Sequence, residues 1–373
     1  MALKKISFKT FDELKEHIKT HRPTFYYSSM TSTVIPFDKL EQIYQDEDFT
    51  LADLSQLPSE MQLNDQGDLT VRGPVSWKEA KEYLRSKGRA IKTAPTENLA
   101  LISAGAATSA TGERCFMYGS FRSQIKRIKY LDYEANEREL FSHQKMPVNE
   151  KLKEYQEVMK DYTGFKNPPF PRFENETDLM TGTEGQLGVI TEIEIETAED
   201  MPVNHLFMLL PKWEEGTSSH IEVCEKIQAF RDDVILCEFI DANSFNYLPH
   251  EERPNQEKDA IFFEVIADKF EHFYENFLAT LSFLNEDEVF ELSESKFHQI
   301  RASIPRAVFE ENSRQGVTKM GTDVQVRVSQ FEELFEIYRN FSRTDVRYNL
   351  FGHFGDAHLH FNFMPKKDQT KEC

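Results

Sequence analysis

The segment Gly352-His353-Phe354-Gly355-Asp356-Ala357-His358-Leu359-His360-Phe361-Asn362-Phe363 alternates polar and apolar side chains from residue 358 onward. Period-two alternation is the pattern of a strand with one face buried, so a strand is expected over 357–364. His358, His360 and Asn362 then share one face, and Leu359, Phe361 and Phe363 share the face that meets the core. His353 lies across the Gly355-Asp356 turn and is placed to fold back toward His360. A strand of this kind needs a sheet and a core, and 31 phenylalanines in 373 residues supply the bulk for one.

Further strand-like runs fall at 24–29, 69–73, 123–132, 188–197, 205–211, 234–241, 260–267, 289–293 and 322–328. Helix starts with the S/T-x-x-E capping pattern stand at Thr10, Ser76 and Ser329. After Ser329, residues Phe331, Leu334, Phe335, Tyr338 and Phe341 keep helical spacing. Helices and strands alternate irregularly, without an internal repeat, as expected for an α+β chain. A change of character near 198–203 divides the chain into domains 1–200 and 201–373. The polar stretch 143–178, with Pro168, Pro169 and Pro171, reads as a surface excursion, and 248–258 as a second soft segment.

Composition removes several function classes. Asp and Glu outnumber Lys and Arg by 64 to 44, giving a net charge of −20 that would repel a phosphate backbone, so no nucleic-acid partner is expected. No apolar run reaches the roughly 18–20 residues of a transmembrane segment, and the opening Met1-Ala-Leu-Lys-Lys-Ile has no secretory apolar region. Four cysteines without CxxC spacing point to free thiols, and the expected location is cytoplasmic.

Glycine is scarce, at 15 residues, so its clusters are informative. The sharpest is Gly182-Thr183-Glu184-Gly185-Gln186-Leu187-Gly188-Val189-Ile190-Thr191, a turn running into an alternating strand. It suits either backbone contact with a ligand or a purely structural turn. Ser103-Ala104-Gly105-Ala106-Ala107-Thr108-Ser109-Ala110-Thr111-Gly112 reads first as a tightly packed helix or turn, and alternatively as an exposed backbone surface. The histidines suit a Zn2+ or Mn2+ site or a general base, and also an ordinary strand face. Arg301 and Lys319, flanking Gly321-Thr322-Asp323, could clamp a carboxylate or serve as surface ion-pair partners.

Taken in order, these segments resemble the FAD-linked oxidases of the vanillyl-alcohol oxidase / p-cresol methylhydroxylase (PCMH) type, in the branch of D-lactate, glycolate and D-2-hydroxyglutarate dehydrogenases. Gly182–Thr191 is similar to that family's S-E-G-x-L-G-I-I-T segment. Lys160-Asp-Tyr-Thr-Gly164-Phe165 is similar to K-N-x-x-G-Y, Ser103–Gly112 with Tyr118-Gly119 to I-G-G-x-x-A-x-N-A-G-G…Y-G, and Arg72–Trp77 to the P-G-V-x-W segment. Lys319–Val324 is similar to K-x-G-T-D-V, and Gly352–Asn362 to G-H-x-G-D-x-H-x-H-x-N. The resemblance implies a PCMH-type FAD-binding domain of two α+β subdomains followed by an α+β cap domain with an antiparallel sheet. It implies noncovalent FAD held along Ser28, Ser29, Thr31, Ser32, Thr33, Ser103, Ala104, Gly112, Gly185, Gly188 and Val189. It also implies a small 2-hydroxy acid as substrate, with hydride passing to flavin N5. Arg301 and Lys319 would hold the carboxylate, His353 and His360 would act as base or metal ligands, and Asn362 would stand beside them. An electron-acceptor protein or complementary subunit is the implied partner.

The sequence also departs from that family. Its glycine-rich phosphate loop is here Tyr27-Ser28-Ser29-Met30-Thr31-Ser32-Thr33, and non-glycine residues disfavour the positive-φ turns that aim amides at one anion. Cys373 follows His360 by 13 residues, before the family's E-H-G-I-G segment would be reached. A metal on the histidines is then expected to need Asp356, Glu310 or Glu311 as a third ligand. These departures carry the alternative expectation of a flavin-free or non-catalytic relative, serving as a scaffold or as a subunit of a larger complex.

Overall fold

A computed structural model describes residues 4–31, 40, 49–162, 165, 173–253, 257–317 and 320–369, with the backbone alone at 286. Ser32, Thr33, Lys319 and Cys373 lie outside the described residues. The chain divides into two compact units, one formed by residues 1–112 and 119–200, the other by 113–118 and 201–373.

The first unit holds two sheets. Strands β1 (Lys4–Ser7), β2 (Thr24–Tyr27) and β3 (Thr50–Asp53) pair in parallel in the order β1-β3-β2, with helix α1 (Phe11–Ile18) between the first two strands. Thr10 caps α1 by accepting from the Glu13 amide at 3.1 Å. The second sheet is antiparallel, in the order β4 (Glu60–Leu63), β5 (Asp68–Arg72), β9 (Val189–Glu199), β7 (Ile125–Leu131), β8 (Glu137–Phe141), with β6 (Arg89–Ile91) on the far end of β9. Helices α2 (Trp77–Arg85) and α3 (Ile102–Ala107) contribute Trp77, Ala80, Leu84, Ile102 and Ala106 to its core. The capping box of α2 is complete: the Glu79 amide donates to Ser76 Oγ at 3.2 Å and the Ser76 amide to Glu79 Oε2 at 2.8 Å. A smaller apolar cluster joins the two sheets, with Phe8, Leu14 and Ala52 from one side and Leu131 and Val189 from the other. In the polar excursion, helix α4 (Glu150–Val158) buries no residue, and a bridge between Lys145 and Asn175 closes its base.

The second unit is built on one antiparallel sheet. Its order is β13 (Val289–Glu291), β10 (Val203–Leu210), β12 (Asp259–Ile266), β11 (Val234–Ile240), β16 (Arg347–His353), β17 (His358–Met364), β14 (Met320–Gly321), with β15 (Val324–Gln325) also on β17. Helices α5 (Ser218–Lys226), α6 (Phe270–Asn276) and α8 (Phe331–Ser342) share one core with the sheet, and α7 (Glu294–Gln315) shares the other through Phe297, Ile300, Ile304 and Val308. Covered on both faces, β12 buries every residue from Asp259 to Val265. That explains why this strand reads as a continuous apolar run instead of an alternating one.

Two expectations are corrected here. The run 322–328 does not form one strand: only Val324–Gln325 is strand (β15), and β14 (Met320–Gly321) precedes the run. Ser329 does not cap α8: it lies inside a 3-10 turn, Val328–Gln330, that feeds the helix directly. Elsewhere the apolar stripe Phe331, Leu334, Phe335 and Tyr338 is buried, as its spacing predicts. No helix among the described residues is long and apolar enough to cross a membrane.

Candidate active site

Strands β16 and β17 form a hairpin through the 3-10 turn Phe354–Asp356, with His353 paired opposite His358 and Phe351 opposite His360. Ala357 takes φ +49° to close the turn. The register gathers three imidazoles, with ring centroids 5.3 Å apart for His353–His358, 5.5 Å for His353–His360 and 4.8 Å for His358–His360. The fold-back of His353 toward His360 predicted from the turn is therefore present. Asn362, fully buried on the same strand, donates to Asn349 Oδ1 at 2.8 Å, while its own Oδ1 has no partner.

Asp323, in the short link between β14 and β15, meets two of these rings through one oxygen: His358 Nε2 at 2.7 Å and His360 Nδ1 at 3.0 Å. A carboxylate accepts and cannot donate, so both nitrogens carry the proton, and the Nε2 lone pair of His360 stays uncommitted. Burial, with the neighbouring rings of His358 and His353, pushes the His360 pKa down to about 3 against the opposing pull of Asp323. The ring is neutral at pH 7. His353 Nδ1 stands 3.1 Å from Glu238 Oε1, which by the same reasoning leaves its Nε2 as an acceptor.

Glu238 links the hairpin to α7. Its Oε2 accepts from Arg301 Nε at 2.8 Å and Nη2 at 2.5 Å, and Arg301 Nη2 also reaches Glu113 at 3.4 Å. Burial opposes the Glu238 charge, yet Arg301 and His353 outweigh it and hold the carboxyl below its ordinary range. Arg301 is 3 % exposed, and its Nη1 has no hydrogen-bond partner. It sits in a buried ion-paired network and is not an open surface cation. Lys319, its expected companion, lies outside the described residues.

The third ligand expected for a histidine-bound metal is none of the three acidic residues named from sequence. Glu311 is taken by Arg314, Arg347 and Gln315; Asp356 by Arg231 and Cys115; Glu310 lines a groove of about 920 Å³ elsewhere in the unit. The set within ligand spacing is Asp323, His358 and His360, and His353 stays with Glu238. Neither Asp323 nor Glu238 was assigned a role from sequence. Glu238 left a readable signal, as the one charged residue in the strand Val234-Ile-Leu-Cys-Glu-Phe-Ile240.

In the first unit, the two small-residue segments lie against each other. The Gly182 amide donates to Ala106 O at 3.0 Å and the Glu184 amide to Ala107 O at 2.9 Å. Ser103 and Ala104 occupy the first turn of α3, which has no side-chain cap. Gly188 is required by packing, since a Cβ there would come within 2.2 Å of Leu131 O, and Gly112 is similarly backed by Ala94 O at 2.1 Å. Gly185 has nothing within 4 Å at φ +83°. Val189 turns into the cluster joining the two sheets. After β2, Met30 adopts φ +49° although the loop lacks glycine, and Ser29 and Thr31 hydroxyls lie 3.4 Å apart. So a positive-φ turn does form there. The amides of Ser28–Thr31 make no hydrogen bond among the described residues.

Comparison with known proteins bears on both units. Residues 221–373 match the family of FAD linked oxidases, C-terminal domain. A search of curated protein sequences finds no match. Two solved structures of alkyldihydroxyacetonephosphate synthase resemble the chain over 99 % of its length. One has TM-score 0.65 and 11 % identity, with 72 % of that chain covered; the other has TM-score 0.67 and 13 % identity, with 68 % covered. Residues 221–373 are thus similar to the C-terminal domain of FAD linked oxidases, within a chain whose fold resembles that of those synthase structures.

Proposed function

We propose that the protein is an FAD-dependent oxidoreductase that dehydrogenates a small 2-hydroxy acid, with His360 as the base. The observation that carries this reading is the wiring of the imidazoles: His360 is neutral, tied at Nδ1 to Asp323 and open at Nε2, beside His353 tied at Nδ1 to Glu238. A 2-hydroxy acid offers a hydroxyl proton and a carboxylate. His360 Nε2 accepts that single proton, His353 packs against it with ring centroids 5.5 Å apart, and Arg301 supplies the cation through its unpaired Nη1. Asp323 keeps His360 in the tautomer that can act and stabilises the imidazolium once the proton has moved.

The donor sets of the first unit fit FAD: amides at Ser28–Thr31 that make no hydrogen bond among the described residues, the first turn at Ser103 and Ala104 without a side-chain cap, and open space beside Gly185. Those residues would hold it noncovalently, and FAD supplies the two-electron acceptor that this substrate class needs. Three buried cysteines free of disulfides support a reducing compartment such as the cytoplasm. A soluble acceptor protein would reoxidise the flavin.

A second reading, a flavin-free subunit of a larger complex, is favoured by the glycine-free Ser28–Thr31 loop and by the ion pairing of Arg301 Nη2 with Glu238 and Glu113. Single-turnover reduction separates the two. FAD-loaded wild type mixed anaerobically with D-lactate, glycolate or D-2-hydroxyglutarate should reduce its flavin. His360→Ala should bind FAD equally and slow that step by roughly 10²–10⁴-fold. Equal rates in the variant would remove His360 from the chemistry. An alkyl dihydroxyacetone phosphate, the compound in the similar structures' name, serves as the comparison ligand; selective reaction with it would overturn the hydroxy-acid assignment.

A further inference from the structure

Apart from the histidine hairpin, a second set of ligand-type side chains converges in the second unit. His205 on β10 and Glu264 on β12 are directly opposed across the antiparallel pair, and His298 reaches over them from the first turns of α7. One ligand atom from each lies within 4.8 Å of the other two. The His205 and His298 rings have centroids 5.6 Å apart, and His298 Nε2 stands 4.0 Å from Glu264 Oε1.

From this geometry we infer that His205, Glu264 and His298 form a binding site for a divalent transition metal of the zinc or cobalt kind, separate from the candidate active site. Two imidazoles and a carboxylate are a ligand set that Zn2+ takes up with a fourth position left for water. The groups here are prepared for it. Glu264 is 1 % exposed, and its other oxygen is held by Arg114 Nε at 3.0 Å, which fixes the carboxylate while leaving Oε1 toward the histidines. Neither imidazole makes a side-chain hydrogen bond among the described residues, so a ring nitrogen of each is available as a ligand. Burial first, then the nearby guanidinium of Arg301, lowers the pKa of His298, and burial lowers that of His205, so both rings hold lone pairs at neutral pH.

Ligand atoms around tetrahedral zinc stand about 3.3 Å apart, given bonds of about 2.0–2.1 Å. Closing the 4.0 Å gap requires movement of one ring. His298, with its side chain 41 % exposed, is free to supply it, whereas His205 and Glu264 are fixed by the strand register. The same exposure admits the ion and its water. Glu113 and Glu294 lie close enough to act electrostatically on the two rings, and their charge counters the excess positive charge that a divalent ion would add beside Arg114 and Arg301.

Titration of the full chain with Co2+ alone, read by its ligand-field absorption, and with Zn2+ in competition against a chromophoric chelator, tests the assignment. Wild type should bind one equivalent at this set. His298→Ala, at a half-exposed position that leaves the fold intact, should weaken that equivalent by roughly 100-fold or more, and Glu264→Gln should do the same. His358→Ala should leave it within about twofold. Wild type that binds no equivalent, or binding that survives His298→Ala and is lost in His358→Ala, overturns the assignment.

Discussion

Asp323 and Glu238 each fix the tautomer of a histidine, and each does so with a single oxygen. Asp323→Asn keeps the shape but can present its amide N–H to His360, turning the ring over to the tautomer with its Nε2 protonated. Reductive half-reaction rates should then fall with little change in flavin affinity, and unchanged rates would remove Asp323 from the wiring. Because the His360 pKa is lowered to about 3, the base stays unprotonated well below the usual imidazole range, so the acid limb of kcat/KM should fall below pH 6. A limb centred near 6.5 would contradict the burial argument. Arg301 belongs to a different class of residue: removing it takes away the guanidinium that holds the Glu238 carboxylate. Arg301→Met should cost about 3–5 kcal/mol in denaturant unfolding, against much less in the double variant Arg301→Met with Glu238→Gln. The imidazole cluster was legible in sequence, because alternation and a turn fix where side chains point. Its carboxylate partners come from β11 and from the link after β14, and no local pattern reports a contact across 35 or 115 residues.

Elements show the same division between local and distant causes. The Thr10 and Ser76 caps were readable because a capping box is made within four residues, and both helices start where the pattern says. Ser329 carries the same pattern, but a 3-10 turn places it inside the helical entry, where its hydroxyl caps nothing. Ser76→Ala should therefore cost about 1 kcal/mol and Ser329→Ala close to zero, measured as paired shifts in denaturant midpoint. The strands β1, β3, β4, β6, β8 and β14 were missed, being two to five residues long; β1, β3, β6 and β14 are also partnered from far along the chain, whereas β4 and β8 pair with their neighbours β5 and β7. The glycine turn is a mixture. Gly188 is demanded by Leu131 O, so Gly188→Ala should destabilise the first unit outright, while Gly185→Ala meets open space and carries the cost of a positive φ alone, about 1 kcal/mol. Thermal unfolding of the two variants side by side checks this; equal losses would contradict it.

For the molecule as a whole, acid stability follows from charges buried in the second unit. His360 has a folded-state pKa far below its unfolded value, so the unfolded chain binds the proton first as pH falls, and stability declines below about pH 6.5 by about 1.4 kcal/mol per pH unit for this one group. Burial pushes Glu311 up, but Arg347, Arg314 and Gln315 bring it down to about 2; its contribution is present above about pH 4.5 and disappears as pH falls toward 2. The unfolding free energy should thus fall in two stages on acidification, and His360→Asn should flatten the first. A profile unaltered in that variant would contradict the assignment. The sequence predicted the two-domain α+β plan because long alternating strands and acidic helices leave a strong local record. The match of residues 221–373 to the C-terminal domain of FAD linked oxidases and the fold similar to the synthase structures agree with the α+β part of that reading.

The most direct test of the account is the absorption spectrum of the full chain reconstituted with FAD, recorded anaerobically before and after addition of D-lactate, glycolate or D-2-hydroxyglutarate. Retained flavin bands that bleach with one of these acids are the predicted result. A folded protein that stays colourless after incubation with FAD, or a flavoprotein that none of the three acids reduces, would contradict it.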